Sequence, residues 1–134
     1  MMASANPYVV FYGPVNKFLR KHMLQHAHPA KFVAEVMGIM WGLYFLWQQN
    51  WIGAVVSSVL LFLGSSLLTW NESVESLADT PLGRVMLAYA TPLNFLIYNV
   101  SALPVIYGAW THQVLYIVAG YSLMLLPHLW WWRR

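Results

Sequence analysis

The sequence predicts an all-α, polytopic membrane protein: four transmembrane helices as two hairpins, preceded by an amphipathic interfacial helix. Three observations carry this. Hydrophobic residues make up 60% of the 134 residues and charged residues only 8%, against about 25% charged in a soluble globule. Too little polar surface remains to cover a water-facing particle. The apolar residues gather in long runs, and Trp51–Trp70 is uncharged throughout, apolar on every face as a lipid-embedded helix is. The seven Lys and Arg residues fall on one side of a four-span arrangement.

Composition also excludes. No cysteine is present, so disulfides and thiolate metal sites are ruled out. The net charge of +3 comes from a few basic residues beside apolar stretches and does not indicate nucleic-acid binding.

Two regions follow, an N-terminal interfacial segment (1–28) and a transmembrane domain (29–134). Residues 1–13 are uncharged and partly aromatic. They lack the basic-then-apolar order of a secretory signal and are expected to remain at the interface. Gly13-Pro14 can open a helix, since proline suits the first helical position. From Val15 to His28, Val15, Phe18, Leu19 and Met23 fall near one face and the polar and basic residues largely on the other. Such a basic amphipathic helix lies in the membrane surface. His28-Pro29 stops it, because the residue before proline is pushed from helical geometry.

The spans are expected at about 29–49, 51–70, 85–110 and 113–131. The first is roughly 30 Å long at 1.5 Å per residue, the hydrocarbon thickness. Trp47 and Trp51 bracket its polar turn as interfacial aromatics do. Between the second and third spans, Asn71–Arg84 holds Glu72, Glu75 and Asp79, and Thr80-Pro81 reads as a cap and first turn. The third span contains Pro92 and Pro104 and should be kinked or unwound. The fourth ends in the Trp130–Arg134 aromatic and basic anchor. Tyr44-x-x-Trp47 and Tyr107-x-x-Trp110, each followed by a polar turn, hint at parallel hairpins related by duplication.

With four spans, both ends and the Asn71–Arg84 loop share a side with every Lys and Arg, and the positive-inside rule makes that side cytoplasmic. The expected location is a plasma or inner membrane. The sequons at Asn71 and Asn99 then lie in the cytoplasm and the bilayer, where neither is glycosylated.

Glu35 is the first candidate for chemistry. An acid inside a span is costly and should face protein or water. It points near the Ala34, Gly38, Gly42 face, whose four-residue spacing lets another helix approach closely. Lys31, one turn back, offers local ion pairing as the bland alternative. His22 and His26 share a helical face at a metal-ligand spacing, and His128 lies near the same membrane side. A metal there would need three or four ligands with second-shell partners. That is the weaker reading beside histidines facing headgroups. Asn94, Tyr98 and Ser101 share a face, and Asn99 lies near mid-span. They are candidates for helix–helix hydrogen bonding or for lining a transport path. No nucleophile elbow, phosphate loop or paired catalytic carboxylates appear.

The first functional expectation is a subunit or assembly partner of a larger membrane complex, acting by helix packing with other subunits or as a homo-oligomer. The second is an oligomeric transporter or channel for a small solute, proton or ion. The third is a membrane enzyme acting on a lipid or quinone at the cytoplasmic face.

Overall fold

A computed structural model describes residues 14–71 and 73–131. The expected interfacial segment 1–13, the loop acid Glu72 and the terminal residues Trp132–Arg134 lie outside the described residues. Among the described residues six α-helices follow one another: α1 (Pro14–Gln25), α2 (Pro29–Trp47), α3 (Trp51–Leu68), α4 (Pro81–Leu87), α5 (Pro92–Trp110) and α6 (Val114–Trp131). A 3-10 turn, Glu75–Asp79, precedes α4.

Proline and hydroxyl caps set the starts. Pro29, Pro81 and Pro92 each stand in the first turn of a helix, where the missing N–H costs nothing. Thr80 Oγ1 accepts from Gly83 N at 3.0 Å, and Thr91 Oγ1 accepts from Asn94 N at 3.3 Å. The third span is therefore shorter than expected. Val85–Trp110 is not one kinked helix; Pro92 begins α5, and residues 85–87 belong to the separate short helix α4. The pattern of apolar residues runs through the break, but the Thr91 cap and Pro92 reset the backbone. Pro104 does stay inside α5.

The helices pack as two hairpins, α2 on α3 and α5 on α6, with α2 also against α5. The helix α1 packs on α4 and on the 3-10 turn. Its apolar face is thus used within the protein: Leu19, Met23 and Leu24 are buried, while Phe18 is exposed. Arg20 Nη2 pairs with Glu75 Oε2 at 3.2 Å on the surface.

The small-residue face of α2 meets α3. A Cβ on Gly38 would stand 3.3 Å from Leu61 Cβ, and one on Gly42 would stand 2.9 Å from Ser58 Oγ. In the second hairpin the approach is backbone to backbone. A Cβ on Gly120 would lie 2.7 Å from the Ser101 carbonyl, and one on Gly108 would lie 2.7 Å from that of Gln113.

The two turns are alike. Gln49 and His112 both take positive φ, 54° and 58°, the left-handed residue that ends many helices. Asn50 N donates to Phe45 O, and Gln113 N donates to Gly108 O, each at 2.8 Å. Each turn also reaches the other: Gln49 Nε2 donates to Trp110 O at 3.5 Å, and His112 Nε2 lies 2.7 Å from Trp47 O.

The outer faces are apolar. Met40, Leu60, Leu63, Leu93 and Leu103 are among many large side chains left exposed, far more than a water-soluble surface carries. Among the described residues three helices, α2, α3 and α5, are long and apolar enough to cross a bilayer. The chain is a multi-pass membrane protein. The apolar run of α6, Val114–Leu129, is shorter.

Candidate functional site

At the end of the hairpins opposite the turns, α1, α2, α3 and α5 bring polar side chains together. Pro29 starts α2 so that Lys31 and Glu35, one turn apart, face inward; both are buried. The two residues after the end of α1, His26 and Ala27, are tied back by bonds to Met23 O and Leu24 O. This places the His26 ring over α2.

His26 Nδ1 and Glu35 Oε2 are 2.5 Å apart, a contact that holds one proton between them. On its other side His26 Nε2 lies 3.3 Å from His22 Nε2, so one imidazole donates to the other. Lys31 Nζ donates to Ser66 Oγ of α3 at 2.9 Å and stands 3.6 Å from Glu35 Oε1. Glu35 Oε1 accepts no hydrogen bond among the described residues. The result is a hydrogen-bonded chain running from the α1 surface helix to a carboxylate inside the bundle.

Charge explains the composition of this chain. A buried ammonium and a buried carboxylate are each expensive alone and offset one another as a pair. Burial pushes the His22 pKa below its ordinary value, with His26 and Lys31 pushing the same way and Glu35 opposing.

Across from Glu35 sits α5. The Tyr98 phenol lies close enough to feel the Glu35 carboxylate, and its ring packs on Tyr89 with centroids 5.2 Å apart. Tyr89 OH donates to Met124 O at 2.7 Å. Burial pushes its pKa to about 12, with Tyr98 adding to the shift. His128 stacks edge-on against Tyr89 at 4.8 Å.

The structure thus brings Glu35, His22, His26, Lys31 and Tyr98 together. Asn94 lies nearby but its Nδ2 is committed to Ala88 O at 2.6 Å, closing the link before α5. Asn99 does not join them: it is exposed, and its Nδ2 donates to Phe95 O on its own helix. The three histidines do not form one set either. Among the described residues no three His, Asp or Glu side chains gather as a metal would need. His128 is drawn to Tyr89 by ring packing instead. Of the small-residue face Ala34, Gly38 and Gly42, the two glycines serve the α2–α3 contact beside the site, and Ala34 is half-buried.

Sequence reasoning missed Ser66 and Tyr89. Ser66 reads as one of four packing serines, and nothing in its neighbours marks it. Tyr89 carried a signal: it stands three residues before Pro92, as His26 stands three before Pro29.

No family model, curated protein or solved structure matches the chain.

Proposed function

We propose that the protein is a small proton-handling membrane transporter, in which Glu35 takes and gives up a proton through His26 and His22. The observation that carries this reading is the 2.5 Å contact between His26 and Glu35 at the inner end of a chain that begins on α1. Intramembrane acids mark proton and substrate paths because burying them serves no packing purpose. Lys31 Nζ stands 3.6 Å from Glu35 Oε1 without donating a hydrogen bond to it, which leaves an acceptor open for a proton or a ligand.

In this reading α6 is a fourth span, both hairpins cross the bilayer, and the Asn71–Arg84 loop is cytoplasmic by the positive-inside rule. The site then lies at the cytoplasmic end of the bundle. Single cysteines at Gln49 and His112 should label from outside the cell and one at Ser76 should not; the reverse pattern sinks the topology.

The functional test is reconstitution of the full chain alone into liposomes with an internal pH dye. Proton uptake along a gradient, with or without a co-supplied solute, should be lost in Glu35→Gln and kept in Asn99→Ala. Absence of flux from well-folded wild-type protein would overturn the reading.

The assembly-partner role is the second reading. Gly38 and Gly42 are covered by α3, so a partner helix would need another surface. The outer face of α2 offers one, a shallow depression of about 480 Å³ lined by Met37, Met40, Trp41 and Tyr44. Mild-detergent purification that yields a clean monomer with no companion would remove it.

A further inference from the structure

The two hairpins correspond residue by residue. Pro29 and Pro92, the first residues of α2 and α5, differ by 63 positions; so do Trp47 and Trp110, Trp51 and Val114, and Leu68 and Trp131, the remaining ends. At that same offset, eleven of the fifty pairs between 19–68 and 82–131 are identical. They are concentrated at the start. Leu19, Met23, Leu24, Ala27, Pro29 and Phe32 match Leu82, Met86, Leu87, Ala90, Pro92 and Phe95, with Lys21 matched by Arg84. Shared helix chemistry alone would not place a Met-Leu pair, an alanine, a proline and a phenylalanine at one spacing twice.

The contacts repeat as well. His26 touches Glu35, and their counterparts Tyr89 and Tyr98 touch each other. Positions 38 and 42 are buried on α2, and 101 and 105 are buried on α5. The contacts between halves are reciprocal. Gln49 reaches Trp110 O while its counterpart His112 reaches Trp47 O, the counterpart of Trp110 O. Reciprocity of this kind is the mark of a two-fold axis. On such an axis equivalent positions of two packed helices oppose each other, and Glu35 and Tyr98 are equivalent positions on α2 and α5. The helix α2 likewise packs on its counterpart α5. Both turns lie at one end, so the axis runs along the hairpins.

We propose that the chain is two copies of one helix-plus-hairpin unit related by a pseudo-two-fold axis, and that Tyr98 completes the Glu35 site from across that axis. The inference rests on the transporter reading for what the site does, but not for where it lies. In a bilayer the axis of two parallel copies runs along the membrane normal, the line along which a path between equal halves would pass. The first copy supplies the ionisable groups, with His26, Glu35 and Lys31 where the second has Tyr89, Tyr98 and Asn94. The groups that face Glu35 are His26 and His22 from the α1 side, Lys31 on its own helix and Tyr98 on α5; α3 contributes the uncharged Ser66. Tyr98 is a positioning residue that shares the axis with the carboxylate, its hydroxyl setting the polarity that Glu35 meets from α5.

Two measurements on the full chain in detergent test this. Infrared difference spectra against Glu35→Gln isolate the Glu35 band. Tyr98→Phe should shift that band, and Tyr107→Phe, at the turn end, should leave it in place. An unmoved band in Tyr98→Phe overturns the role of Tyr98. The second is an exchange. Glu35→Tyr alone strands the Lys31 ammonium and should lower the unfolding midpoint. Adding Tyr98→Glu returns a carboxylate to the axis and should recover about half or more of the loss, as coupled positions do. No recovery, or a double variant that fails to fold, overturns the equivalence of the two positions. Both readouts are independent of flux, so a protein that shows them but moves no protons refutes the transporter reading alone.

Discussion

The two hairpins share a backbone plan and differ in what they bury. The first hides charge: Lys31 and Glu35 are buried together, with His26 against the acid. The second hides phenol and amide groups, and its hydrogen bonds go to backbone carbonyls, as from Asn94 to Ala88 and from Tyr89 to Met124. The first is joined through side chains at Gly38 and Gly42, the second through backbone at Gly108 and Gly120. One scaffold can therefore be specialised in two ways, a close and rigid half and a half that keeps room for titratable groups. The difference teaches that the small-residue spacing of α2 does not by itself mark the tighter hairpin.

The largest expected effect tests the charge difference. Lys31→Met leaves Glu35 buried beside no ammonium and should cost about 3–5 kcal/mol, the usual penalty for breaking a buried pair. Asn94→Ala, at the matching position, should cost about 1–2 kcal/mol, the scale of one lost hydrogen bond. Unfolding of each variant in the same detergent measures both. Equal losses would erase the distinction.

Next comes packing. Gly120→Ala forces a methyl into the Ser101 carbonyl and Val105 and should cost about 1–3 kcal/mol. Gly38→Ala meets Leu61 Cβ at 3.3 Å and otherwise only the ends of the Leu61 and Phe62 side chains at ordinary contact, so a shift of a few tenths of an ångström accommodates it and the cost should stay within about 1 kcal/mol. A larger loss at Gly38 would reverse the ranking of the two hairpins.

The turns should separate by less. Gln49→Gly relieves a left-handed residue and gives up only an exposed, 3.5 Å bond to Trp110 O, so it should stay within about 1 kcal/mol of neutral. His112→Gly gains the same relief but loses the contact with Trp47 O and the edge-on packing on the Trp47 ring, whose centroid is 4.6 Å away. It should destabilise. Thermal midpoints that move together would mean the bridge between turns carries no weight.

The smallest effect is in pH. His22 has a folded pKa below its ordinary value, so the unfolded chain binds its proton first as pH falls. Its contribution to stability is complete above about 6.5 and declines as pH drops below that value. Val85, its counterpart, does not titrate. His22→Gln should flatten part of the loss of stability between neutral and mildly acidic pH, read from midpoints across that range.

Much of the fold was legible in the sequence. Apolar runs, Trp at the turns and proline at the starts gave the hairpins, because lipid leaves helices few other options for their backbone. The break before α5 was not legible, since apolar character continues through residues 85–91 and only the Thr91 cap interrupts the helix. Of the site, Glu35 was legible as an acid in an apolar run, and Lys31 as its neighbour one turn back. The fates of Asn99 and Tyr98 were not. They are adjacent in sequence, but a helix turns adjacent residues about 100° apart, so Tyr98 faces the bundle while Asn99 faces out.

By itself the sequence determined the solvent, the helices, their order and the residues that cannot sit in lipid unaided. It also held the 63-residue correspondence, with six of its eleven identities crowded into the fourteen positions 19–32. Only the tertiary structure decided that the glycines of the small-residue face meet α3, that His26 rather than His128 reaches Glu35, and that α2 packs on α5. Periodicity fixes which residues share a face of one helix. What that face meets depends on the packing of helices against each other.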